Sequence, residues 1–206
     1  MTLWSIAVAS FLMALSGAMS PGPLLVLTVG TSVKRGWLAG PLIIAGHAFI
    51  EAVLILGILA GFGAVLQEKS VVRIIGVVGG IVLFWMGFSM MKSSLIPMEK
   101  EGFSRSSSCP VRDGILCSLS SPYWFIWWAT VGMACIALAV PFGWKGVAVF
   151  FIGHIFADFS WYTAISMTVG KGRKFLSANA YQYLSRFCGL FLIGFGCWLA
   201  IKVFVG

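Results

Sequence analysis

The sequence predicts an all-α integral membrane protein: six transmembrane helices in a 3+3 inverted repeat, with helices 1 and 4 broken at Ser-Pro. Three observations lead there. Of 206 residues, 60% are hydrophobic and only 10% charged, where a soluble domain carries roughly 25% charged residues. Six apolar runs, at about 3–31, 37–63, 70–92, 112–140, 144–169 and 183–205, each reach the roughly 20 residues that cross a bilayer. A pattern in the first half also recurs in the second at a constant spacing. Lipid leaves open backbone unsatisfied, so spans must be helices or a closed barrel. The runs are too long and too evenly apolar for barrel strands, which alternate.

The first run contains "MSPGPLLVL" (19–27). Proline removes a backbone donor and clashes with the preceding turn, so the helix stops there. Ser20-Pro21 reads as a restart, with Ser as N-cap and Pro at the first helical position. No Lys or Arg precedes Lys34, so the run lacks the basic start of a secretory signal. The second run opens on Gly36-Trp37 and carries His47 and Glu51; the third follows Arg73. The polar stretch around Glu99, Lys100, Glu101 and Arg105 reads as a solvated loop. The chain therefore divides into a first three-helix repeat (1–92), a cytoplasmic linker (93–111) and a second three-helix repeat (112–206). The fourth run holds Ser121-Pro122, then "YWFIWW" (123–128), which faces either the path or lipid. The fifth carries His154 and Asp158, and the sixth follows Arg186.

The repeat is legible residue by residue. Gly36, Trp37, Gly46, His47 and Glu51 match Gly143, Trp144, Gly153, His154 and Asp158, each pair offset by 107. The chain has only two histidines, and both stand in Gly-His-x-x-x-acid. Ser20-Pro21 recurs as Ser121-Pro122, and Arg73-x-x-Gly76 as Arg186-x-x-Gly189. An odd number of spans per half inverts the second half. Inverted repeats with broken helices near the midplane are a plan of secondary transporters.

Charge sets an orientation. Lys34, Arg35, Lys92, Lys100, Arg105, Arg112, Lys171, Arg173, Lys174 and Arg186 fall in one set of loops. Only Lys69, Arg73, Lys145 and Lys202 fall in the other. Positive charge marks the cytoplasmic side, so loops 1–2, 3–4 and 5–6 are cytoplasmic and both termini outside. The net charge of +8 is thereby explained without nucleic acid. Five cysteines without a Cys-x-x-Cys read as small apolar fillers. No nucleophile–base pair or cofactor motif points to an enzyme, and no cofactor is expected. Small-x-x-x-small glycine faces permit a homodimer.

Candidate site residues follow from these features. A helix restarting in the bilayer presents unpaired N–H groups at its positive dipole end, suited to a carboxylate. Ser20, Pro21, Gly22, Pro23, Ser121 and Pro122 are therefore expected at a substrate site. Glu51 and Asp158 lie 14 residues into the second and fifth runs, where ionisable groups are costly and usually functional. His47/Glu51 and His154/Asp158 are i, i+4 pairs on one helix face each. The carboxylates could accept a substrate amine, or carry protons. The two histidines and two acids could instead hold a divalent metal.

These motifs resemble the LysE/RhtB family of amino-acid exporters. The resemblance runs through "SPGP", "RGWLAGPLIIAGHAFIE", "GHIFADFSWYTAIS", "GKGRKFL" and "FCGLFLIGFGCWL", nearly the whole chain. It implies a six-span cytoplasmic-membrane protein, driven by an ion gradient, that exports amino acids or related metabolites. Pro21, Gly22, Pro23, Glu51 and Asp158 match the family's motifs, although Glu51 stands where many members have Asp and Ile50 where many have Gly. The expected activity is proton-coupled export of a small amino acid or similar metabolite. The alternative is divalent-cation export through His47, Glu51, His154 and Asp158.

Overall fold

The computed structural model describes residues 2–20, 22–61, 68–93, 109–172 and 178–205. Among them there are helices and no strand. In chain order these are α1 (Leu3–Ala18), α2 (Pro23–Arg35), α3 (Ala39–Leu59), α4 (Lys69–Ser93), α5 (Pro110–Leu119), α6 (Pro122–Trp127), α7 (Met133–Ala139), α8 (Gly143–Gly172) and α9 (Ala178–Val205). A π-helical turn, Trp128–Gly132, joins α6 to α7. Most of the predicted linker, 94–108, lies outside the described residues.

Two stretches, Pro23–Leu59 and Tyr123–Gly172, are long and apolar enough to cross a membrane. The first, of 37 residues, would measure about 55 Å as a straight helix, nearly twice a bilayer core of roughly 30 Å. It is not straight. Gly36 turns the chain at φ 74°, and Gly143 does so at φ 63° in the second stretch. Both carry the left-handed conformation that glycine adopts without steric cost, and each is followed by a tryptophan exposed at the turn.

The surface is inverted relative to a water-soluble protein. Phe49, Leu56, Ile74, Ile81, Ile152 and Phe156 are between 61% and 67% exposed. The charged and polar side chains His47, Glu51, His154 and Asp158 are instead buried. Such an exterior is satisfied by lipid, since large contiguous apolar surface is rare on soluble monomers. Inside, Trp128, Phe150, Ile136 and Ile55 form one apolar cluster, and Ile43, Leu83, Cys117 and Leu192 another.

Long helices pair along their lengths: α4 with α9, α1 with α8, and α3 with α5. Glycines permit the closest approach. A Cβ on Gly46 would strike the Val111 carbonyl, and one on Gly114 the Ile43 carbonyl. The reciprocal contacts, 46 with 111 and 43 with 114, make α3 and α5 antiparallel and nearly touching. Gly46→Leu is therefore expected to destabilise the protein by about 3 kcal/mol or more, the upper range for overpacking. A melting temperature in detergent equal to wild type would contradict that tight seam.

Both predicted helix breaks occur, with one correction. α5 ends at Ser120, and Ser121 is the N-cap of α6 with Pro122 at its first position. In the first half the restart is not Ser20-Pro21. The N-cap is Gly22, extended at φ −159° and ψ 179°, and Pro23 opens α2. The physical reason is the doubled proline. A residue preceding proline is driven out of the α region, so Gly22 stays extended and the helix waits for Pro23. Ser20 instead closes the end of α1, its amide bonding to the Gly17 carbonyl at 3.0 Å. Ser121 also makes no side-chain cap bond. Pro21 lies outside the described residues.

Candidate functional site

The site forms where α3 faces α8. His47 and Glu51 lie one turn apart on α3, and His154 and Asp158 one turn apart on α8. Their ends meet as a ring of alternating imidazole and carboxylate. His47 Nε2 is 3.1 Å from Glu51 Oε1 and 3.8 Å from Asp158 Oδ2. His154 Nε2 is 3.0 Å from Glu51 Oε2 and 3.4 Å from Asp158 Oδ2. Alternation places each group beside two of opposite tendency, which is how buried ionisable groups are tolerated.

The two acids are held differently. Glu51 is 1% exposed. Its Oε1 accepts indole N–H bonds from Trp124 at 3.0 Å and Trp128 at 2.9 Å. Asp158 Oδ2 is buried without a hydrogen-bond partner among the described residues. Glu51 is thus fixed from three helices, while Asp158 keeps an acceptor in reserve. The π-helical turn serves this arrangement by carrying Trp128. Gly132 leaves room for its ring, which any Cβ there would strike. Such π turns insert one residue and re-aim side chains, often at functional sites.

The two imidazoles also differ. His47 Nδ1 is 2.7 Å from Ser118 Oγ, and that hydroxyl donates to the Gly114 carbonyl at 2.8 Å. The hydroxyl proton being spent, Ser118 accepts from His47 Nδ1–H, which directs Nε2 at the acids. His154 Nδ1 has no hydrogen-bond partner among the described residues. Its ring is packed instead against Trp127, Trp128 and Phe150, with centroids 4.9, 5.5 and 5.9 Å away. The helix seams explain the difference. Val111 and Gly114 of α5 approach α3 as Ala7 and Ser10 of α1 approach α8. In that register Ala14 occupies the place that Ser118 holds in the other half, and alanine has no hydroxyl to offer.

A cavity of about 80 Å³ joins this ring to both helix breaks. Ser20, Gly22, Pro23 and Ser121 line it together with His47, Glu51, His154 and Asp158. Every described residue expected at the site is therefore at one place, save Pro122, whose backbone opens α6 beside Ser121. At α2 the Val26 amide bonds to the Gly22 carbonyl at 3.2 Å, and the amides before it belong to the first turn, which finds no acceptor within its own helix. At α6 the Trp124 amide already bonds to the Ser121 carbonyl at 3.1 Å. Tyr123 crosses between the breaks, its hydroxyl donating to Ser20 Oγ at 3.3 Å.

Residues absent from the sequence expectation are Ser118, Trp124 and Trp128. The indoles were legible in part. "YWFIWW" placed on a helix puts Trp124 and Trp128 four apart on one face, with Ile126 turned outward and exposed. Lipid and path both claim the segment, on different faces.

An apolar exterior over buried ionisable side chains, built from helices that break beside them, defines a class: an all-helical membrane protein. A family model, LysE type translocator, matches residues 15–203, nearly the whole chain, and the protein belongs to that family. Comparison with curated proteins and with solved structures gives no match. Members of the family are membrane translocators, not enzymes.

Proposed function

We propose that this protein is a secondary transporter that exports small amino acids or related metabolites across the cytoplasmic membrane, coupled to protons, by alternating access. The observation that carries the reading is a cavity lined by both helix breaks and by His47, Glu51, His154 and Asp158 together. The first turn of α2, with the second break at Ser121-Pro122, receives the substrate carboxylate. Asp158 receives its amine. Glu51 and the imidazoles balance that charge and pass the coupling proton. Tyr123 and Ser20 close the mouth between the breaks and part when it opens.

The halves 1–92 and 112–206 move as inverted repeats about this site. Supporting that symmetry, the turns at Gly36 and Gly143, offset by 107, share a positive φ. The linker 93–111 lies on the cytoplasmic side with loops 1–2 and 5–6. Cys109, exposed at the start of α5, is accordingly expected to resist a membrane-impermeant maleimide in intact cells and to react in inverted vesicles. Labelling in intact cells would reverse the orientation.

Purified protein in liposomes tests the activity. Amino-acid counterflow is expected, and efflux accelerated by an imposed pH gradient. Flux indifferent to the pH gradient would remove the proton coupling. One observation favours a second reading, divalent-cation export: ligand atoms of His47, Glu51 and Asp158 all lie within 4.8 Å of one another. Metal-dependent flux in the same liposomes, with no amino-acid exchange, would establish that reading in place of the first.

A further inference from the structure

We infer that the substrate is a small zwitterion whose side chain carries no charge, and that basic and acidic amino acids are excluded. The inference rests on the exporter reading and deepens it. It comes from counting the charges the cavity can satisfy.

Among the described residues neither Lys nor Arg lines the cavity. The described lining residues with acidic or imidazole side chains are the two histidines and two carboxylates of the ring. Glu51 is committed: its Oε1 holds two indole N–H groups, and its Oε2 lies 3.0 Å from His154 Nε2. Two carboxylate oxygens of the ring lack a hydrogen-bond partner among the described residues, Glu51 Oε2 and Asp158 Oδ2. The first lies against His154 Nε2 at 3.0 Å, so Asp158 Oδ2, 3.4 Å or more from either imidazole, is the one left to satisfy an ammonium. For an anion the cavity offers the start of α2, a helix of 13 residues, whose Gly22 and Pro23 share the lining with Asp158. That satisfies one carboxylate. A backbone ammonium and a backbone carboxylate occupy both poles, and the two imidazoles already turn Nε2 to the acids of the ring.

A third charge has nowhere to go. The rest of the wall includes Ala18, Leu24, Cys117, Trp124, Trp127 and Tyr162, which offers an apolar or aromatic surface. A lysine ammonium or a glutamate carboxylate against it would be desolvated without a counter-charge, which is strongly unfavourable. A methyl or isopropyl group would be received. Size agrees, because about 80 Å³ is several-fold below the roughly 300–1,000 Å³ of sites for drug-sized ligands.

The test uses wild-type protein in liposomes preloaded with unlabelled L-alanine, L-valine, L-lysine or L-glutamate. Uptake of the matching labelled amino acid is followed by counterflow, and each unlabelled amino acid is then added as a competitor of labelled alanine. Alanine and valine are expected to exchange, with lysine and glutamate at least about tenfold weaker as substrates and competitors, the scale on which an apolar pocket discriminates. Exchange of lysine or glutamate at rates equal to or above alanine overturns the charge count while leaving the exporter reading intact. No exchange of any of the four removes the exporter reading itself, and the inference with it.

Discussion

Asp158→Asn is expected to abolish coupled export, lowering amino-acid flux about a hundredfold or more, while the protein folds and inserts as wild type. The size follows from the two jobs this oxygen would perform. Its Oδ2 is a buried acceptor without a hydrogen-bond partner among the described residues, so the amide replacement removes the charge proposed to meet the substrate ammonium. Truncating one partner of a buried hydrogen-bonded charge pair costs about 2–5 kcal/mol, which is a factor of roughly 30 to several thousand in affinity. The fold is spared because Asp158 holds its neighbours loosely. The imidazoles stand 3.4 and 3.8 Å away from Oδ2, neither making a hydrogen bond to it. An amide of nearly the same volume fits the same space. Counterflow and thermal unfolding measured on one preparation separate the two effects. A folded Asp158→Asn protein that exports at the wild-type rate would remove Asp158 from the transport site. Asp158→Glu, which keeps the charge and moves it outward by one methylene, is expected to retain partial flux.

How much of this could be read beforehand varied with the physical signal. The helical class and the apolar exterior follow from composition, because lipid accepts apolar side chains wherever they point. His47, Glu51, His154 and Asp158 stood out because intramembrane ionisable residues are rare and these repeat at one spacing. Their convergence also followed, since i, i+4 pairs share a face and two such faces must be hidden from lipid. The restart of the first helix was misplaced by two residues, Pro23 opening it and not Pro21. Ser-Pro and Gly-Pro compete there, and only the backbone geometry of the whole break decides between them. The different fates of Glu51 and Asp158 were not legible at all. They depend on Trp124 and Trp128 arriving from another helix, through a π turn that no periodicity announces. Likewise the contrast of Ser118 with Ala14 needs the register of two helix seams, set by which glycines let the backbones touch.

Glu51→Ala carries the second large effect, and it falls on stability more than on transport alone. Two indole N–H groups and two imidazoles converge on this one carboxylate, which is 1% exposed. Alanine removes the acceptor that all four share in a buried site and enlarges the space between α3, α6 and α8. Breaking a buried ion pair by deleting one partner costs about 3–5 kcal/mol, a large share of the roughly 5–15 kcal/mol that holds a folded protein together. Low yield and a markedly lower melting temperature in detergent are expected. Glu51→Gln should recover much of that stability, since its amide oxygen can still accept from the Trp124 and Trp128 indoles, yet it should export poorly because the ring has lost a negative charge. Trp128→Phe isolates the indole bond from the charge: it keeps the packing against Phe150 and deletes one donor. About 1.5–3 kcal/mol is expected to be lost, the scale of a hydrogen bond to a charged group. The order of melting temperatures is therefore wild type first, then Trp128→Phe and Glu51→Gln, with Glu51→Ala last. If Glu51→Ala melted with the wild type while Asp158→Asn did not, the roles of the two acids would be exchanged: Glu51 would be the group free to meet the substrate, and Asp158 the one on which the helices are hung.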